Sequence, residues 1–233
     1  MAGLSILVGA TGFEPILTES ESGVLPLNYA PGDADYITIK ITLQLKFLHD
    51  YDIIPIMNIR LSTIMEFHHR RTTAHIDCLN YFAGLLGYHF PEHDNDKNSG
   101  TMQTAYAYMN YAKYHPEFTL SAARHDLWSE MHAEHHRMQP HHIEHYDNIG
   151  AVSDIILIEM ICDWHSANFE QNHVTHEDGA SSVRDYFDCE LRNRDDLKWS
   201  PHQLEIIDET IDFLAMYANF DDVMAIWRPL LTD

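Results

Sequence analysis

His75, the adjacent pair His93–Asp94 and Asp163 bring two imidazoles and two carboxylates into one chain. His75 lies eighteen residues before His93, in a stretch with helical periodicity. Such a set is of intermediate hardness and suits a divalent transition metal: Mn, Fe, Zn, Ni or Co. Asp163 is the most telling member. It sits in "SDIILIEMICDWHSANFE", where Ile155, Ile156, Leu157, Ile158, Met160, Ile161, Cys162 and Trp164 make most faces apolar. Only Glu159 and Asp163, four apart and so on one helical face, break that pattern. A buried carboxylate is costly unless it is paired or bound to a metal. An arginine or backbone donors would satisfy it as well as an ion. The His-Asp dipeptide alone says little. A second one, His125–Asp126, is read as chance on a helix surface.

Between Asp94 and Asp163 lies "HAEHHRMQPHHIEHY", with six histidines in fifteen positions: His132, His135, His136, His141, His142 and His145. A solvated polar face, a proton-linked switch and one wall of a metal site all fit that composition. On one continuous helix His132, His135, Gln139 and His142 would share a face, with Pro140 bending it.

A histidine, then a His-Asp pair, then a distant aspartate, all on helices, resembles the HD superfamily of metal-dependent phosphohydrolases. The pattern falls here on His75, His93–Asp94 and Asp163, and "HDNDK" from His93 to Lys97 matches a common form of it. The stretches "HIDCLNYFAGLLG", "EHDNDKNS", "HHRMQPHHIEHY" and "IEMICDW" look more narrowly like uncharacterised HD-like proteins of phages and bacteria, over roughly residues 65–215. Some HD proteins hold a second metal through two further histidines, so the resemblance implies His135 and His142 as its ligands, with His141 an alternative to His142. His132, His136 and His145 would then face solvent or support the ligands.

The resemblance implies one or two metal ions and hydrolysis of a small phosphorylated substrate, a nucleotide or related ester. A metal-bound water would attack. Asp94 would be the bridging or central ligand and would orient that water. Lys97 would hold a phosphate oxygen, or else pair with Asp96 at the surface. His135 or His142 could instead protonate the leaving oxygen. Glu159 is expected to orient a ligand histidine. Two other functions fit the same residues: a di-iron oxygenase of the HD type, and a non-catalytic protein whose metal only stabilises helices.

The elements that must position these groups are mainly α-helical. From residue 56 to 233 the pattern predicts a helical domain, which the resemblance implies is HD-like and metal-binding. Ile64, Phe67, His68, Thr72, His75 and Leu79 recur at helical spacing, with Gly87 as the stop. "SPHQLEIIDETIDFLAMYA" opens with a capping box at Ser200 and Gln203. Residues 171–198 read as a long loop with one short helix. Residues 1–55 differ. "YITIKITLQLKF" alternates strictly and predicts a half-buried strand, so a small N-terminal β appendage is expected, as a homo-oligomer contact or a lid.

The chain has 233 residues, 14 basic and 36 acidic, a formal charge of −22. That balance excludes a nucleic-acid groove and an anionic membrane surface as partners. It leaves room for a small phosphorylated ligand, because a metal ion supplies local positive charge. No run of about 18 apolar residues is present, so no membrane span is expected. The N-terminal residues lack a basic segment and read as structure. Three scattered cysteines fit a reducing, cytoplasmic compartment.

Overall fold

A computed structural model describes residues 59–177 and 179–232. The expected β appendage, with its strand from Tyr36, lies outside them. Among the described residues there are seven α-helices and no strand, so the mainly α expectation holds. In chain order the helices are α1 (Leu61–Leu85), α2 (Gly100–Tyr114), α3 (Ala122–Met138), α4 (Asp154–His173), α5 (Val183–Tyr186), α6 (Pro201–Tyr217) and α7 (Phe220–Trp227).

Helix α1 is the hub: α2, α4 and α7 pack on it, α3 packs on α2, and α6 packs on α4. Its inward stripe runs Ile64, Phe67, His68, Arg71, Thr72, His75, Cys78, Leu79 and Phe82, all buried. Gly87 ends it: at φ 82° its backbone enters the left-handed region, and the amides of Gly87 and Tyr88 bond back to the carbonyls of Gly84 and Ala83. That pattern satisfies carbonyls a helix end would otherwise leave bare. Helix α4 is central, with Leu157, Met160, Ile161 and Cys162 fully buried. The Ser200–Gln203 capping box forms at the start of α6, and Ile207, Ile211 and Leu214 are its buried face. Residues 171–198 carry the short helix α5, continued by a π-turn at Phe187–Leu191. Trp164 packs on Tyr186 and Phe187 in this corner.

Helix α3 is shorter than the histidine spacing suggested. It ends at Met138, and Gln139 is extended (φ −90°, ψ 126°). The cause is Pro140, whose ring disfavours a helical conformation in the residue before it. The single-face arrangement of His132, His135, Gln139 and His142 therefore does not form. His141 and His142 return toward α3 through a turn instead, closed by the His142 amide on the Gln139 carbonyl at 3.1 Å.

Candidate metal centre

Four segments converge on one point between α1 and α4: His75 from α1, His93–Asp94 from the loop after it, His135 with His141 and His142, and Asp163 from α4. Among the described residues, Asp94, His135, His141 and His142 place one ligand atom each within 4.8 Å of one another; so do His75, His93 and Asp163. Asp94 stands between the two sets. Its Oδ2 is 3.5 Å from His75 Nε2, and its Oδ1 is 3.7 Å from His93 Nε2, 3.2 Å from His135 Nε2 and 3.6 Å from His141 Nε2. Asp163 Oδ1 lies 2.9 Å from His75 Nε2 and 3.5 Å from His93 Nε2. His142 Nε2 lies 2.9 Å from His135 Nε2.

These separations are those of donors around a shared cation. Ligand distances of about 2.0–2.2 Å put neighbouring donors roughly 3.0–3.5 Å apart. The buried polar atoms also lack other partners. His93 Nε2, His141 Nε2 and both Asp94 oxygens receive no well-directed hydrogen bond, although Lys97 Nζ pairs with Asp94 Oδ2 at 3.0 Å. Buried groups in folded proteins seldom stay so, and an ion satisfies all four together.

The opposite edge of three of these rings is anchored. His75 Nδ1 donates to Ser166 Oγ (3.0 Å), whose own proton goes to the His75 carbonyl. His93 Nδ1 donates to Glu159 (3.1 Å) and His135 Nδ1 to Asp96 (2.8 Å). Each anchor leaves the Nε2 lone pair turned inward, the tautomer a metal needs. A further group of His136, His142 and Glu144 fits an ion poorly. The His136 and His142 rings stack at 3.8 Å with planes 13° apart, so their in-plane lone pairs run side by side and do not converge.

Electrostatics follow from this crowding. Burial pushes His93 down, but Asp94, Asp163 and Glu159 outweigh it and hold the ring up at about 10. Burial works against Asp94 and Asp163 as well; Lys97 and the histidines around Asp94, and His75 and His93 beside Asp163, still keep both well below the usual carboxylate range. His141 and His142 are pushed the other way, by burial and by neighbouring histidines, and keep their lone pairs at neutral pH.

The backbone contributes too. Asp94 sits at φ 58°, ψ 11°, the left-handed region, which non-glycine residues enter at a cost. That kink starts the 3₁₀ turn Asn95–Asn98, which sends the Asp96 side chain to His135 and brings the Lys97 ammonium back to Asp94. Lys97 is buried against the Tyr106 ring, not paired with Asp96 at the surface. The site is open on the side of Ile156 and Glu159 of α4. Beside it, between the segments at His89–His93 and Gln139–His141, lies a cavity of about 270 Å³.

All six expected ligands, His75, His93, Asp94, His135, His142 and Asp163, thus meet, and His141 joins them together with His142. His132, His136 and His145 stay outside; His145 donates to the Arg137 carbonyl, and His136 faces Glu144. Two supporting groups went unread in the sequence. Ser166 and Asp96 anchor ligand rings. His68 donates from Nε2 to the Lys97 carbonyl (2.9 Å) and accepts from Asn110 at Nδ1 (2.9 Å), tying the 3₁₀ turn to α1.

Residues 64–213 match a family of unknown function, DUF5662, and the chain belongs to that family. No curated protein and no solved structure matches it.

Proposed function

We propose that the chain is a metal-dependent phosphohydrolase acting on a small phosphate ester, a nucleotide or a related compound, with up to two divalent transition-metal ions held by His75, His93, Asp94 and Asp163 on one side and Asp94, His135, His141 and His142 on the other. The observation that carries this reading is Asp94: one buried carboxylate standing between two sets of imidazole nitrogens. The resemblance of His75, His93–Asp94 and Asp163 to the HD phosphohydrolases supports it.

Divalent ions held by these residues would supply Lewis acidity, lowering the pKa of a bound water and polarising a phosphoryl oxygen. The chain's own groups do the rest. Asp94 joins the two ligand sets. Lys97, buried 3.0 Å from Asp94, presents an ammonium to a phosphate oxygen and offsets the local carboxylate charge. Asp96 accepts from His135 Nδ1 at 2.8 Å and holds the ring with its Nε2 edge toward Asp94. The cavity of about 270 Å³ touches the ligand sets at His93 and His141.

Elemental analysis of untagged protein, wild type and Asp94→Ala, tests the reading first. About one or two equivalents of Mn, Fe, Zn, Ni or Co in the wild type, lost in Asp94→Ala, together with metal-dependent phosphate release from a panel of phosphomonoesters, is the expected result. Absence of metal after reconstitution overturns it. Two irons with substrate-dependent oxygen uptake and no phosphate release would replace it with an oxygenase.

A further inference from the structure

A single carboxylate oxygen reaches one ring from each ligand set. Glu159 Oε1 lies 3.1 Å from His93 Nδ1 and 3.7 Å from His141 Nδ1. The two rings lie against each other, centroids 4.0 Å apart. Their Nδ1 edges converge on Glu159, while their Nε2 edges turn toward Asp94, His93 with the His75–Asp163 set and His141 with the His135–His142 set. The other anchors serve one ring each: Ser166 holds His75 and Asp96 holds His135.

We infer that Glu159 is a positioning residue that couples the two metal positions, so that filling one prepares the other. The inference rests on the two-metal reading above. An oxygen that accepts from His93 Nδ1–H and stands as a negative charge 3.7 Å from His141 Nδ1 favours the proton on Nδ1 of both rings, the tautomer with an Nε2 lone pair. A cation at His93 Nε2 polarises that ring and strengthens its Nδ1–H bond to Glu159. The carboxylate is then immobilised, and its charge stays fixed beside the His141 ring. The second ion meets a ligand whose ordering has already taken place, which is positive coupling between sites without any large movement. Glu159 sits at the edge of the cavity, with its side chain only 12% exposed, so little water competes for its oxygen.

The test is a calorimetric titration of the metal-free full chain with Mn²⁺. Wild type is expected to take about two equivalents cooperatively. Glu159→Gln keeps the size but offers a weaker acceptor; both steps should weaken by about 10–100-fold and the cooperativity should vanish. Asp96→Asn, whose partner is His135 alone, should weaken one step only. If Glu159→Gln does not fold, as judged by circular dichroism, Glu159→Asp withdraws the same oxygen with charge retained and should show the same double loss. A wild type that binds two ions while the Glu159 variant loses affinity at one step or at neither overturns the coupling. A wild type that binds no Mn²⁺, or a single equivalent, overturns the two-metal reading itself.

Discussion

Asp96 Oδ2 lies 2.8 Å from His135 Nδ1, and the opposite nitrogen of the same ring is 3.2 Å from Asp94 Oδ1. Two aspartates two positions apart in the chain thus hold both edges of one imidazole from α3. The 3₁₀ turn after Asp94 makes this possible by pointing the two carboxylates to opposite sides of the ring. Asp96→Ala should leave helix content unchanged and lower metal affinity by about 10–100-fold, the usual effect of removing a ligand's anchor. Competition with a chelator measures it, and an unchanged affinity would show that the Asp96 contact does not orient His135.

Metal uptake should release protons. His93 is held at about 10 by Asp94, Asp163 and Glu159 while no cation is bound, so the ring is charged at neutral pH and must lose its proton to ligate. Affinity should therefore rise with pH, by up to about tenfold per unit for one displaced proton, and level off near pH 10. Titrations in buffers of different ionisation heats count the protons directly. Uptake with no proton release would remove His93 from the ligands.

The Arg71 guanidinium pairs with Glu170 through two nitrogens, Nε at 2.9 Å, and Tyr114 donates to the same carboxylate at 2.8 Å. Arg71 from α1 and Glu170 from α4 are buried, and Tyr114 reaches them from α2. Glu170→Ala should destabilise by about 3–5 kcal/mol, because Arg71 is left buried without a counter-charge. Replacing both, Arg71→Met with Glu170→Leu, should recover much of that loss. Urea unfolding of the single and double variants decides between this and a pair that contributes little.

Acid should loosen the fold through its neutral histidines. Burial holds His68 at about 4 and His165 at about 3, below the ordinary value of 6.5. A depressed histidine gives stability that is complete above about pH 6.5 and lost as the pH falls toward 4 and 3. His93 acts oppositely in the metal-free protein: its contribution is complete below 6.5 and is lost as the pH rises toward 10. Thermal unfolding of the metal-free chain should show a falling midpoint below pH 6.5 that His68→Gln makes shallower. A midpoint flat from pH 7 to 4 would contradict this.

Helical periodicity was legible because it is local. The α1 stripe through His75, the apolar α4 with its exceptions at Glu159 and Asp163, and the Ser200 capping box each follow from spacing along one segment. The same α4 face continues to Ser166 and Glu170, at further steps of three and four residues. That continuation was a readable signal for Ser166, hidden because a single serine on a helix carries no charge to betray its burial.

Other features depended on groups distant in the chain meeting. Whether His141 or His142 would face Asp94 turned on where α3 stops, and Pro140 stops it at Met138, bringing both back. The left-handed backbone at Asp94 decided that Asp96 would reach His135 and that Lys97 would turn inward. The sequence by itself determined the helices and the donor types, since side-chain chemistry and a 3.6-residue period belong to short stretches of chain. Only the tertiary structure decided which nitrogens face Asp94, because that depends on the convergence of loop and helix segments that no local pattern encodes.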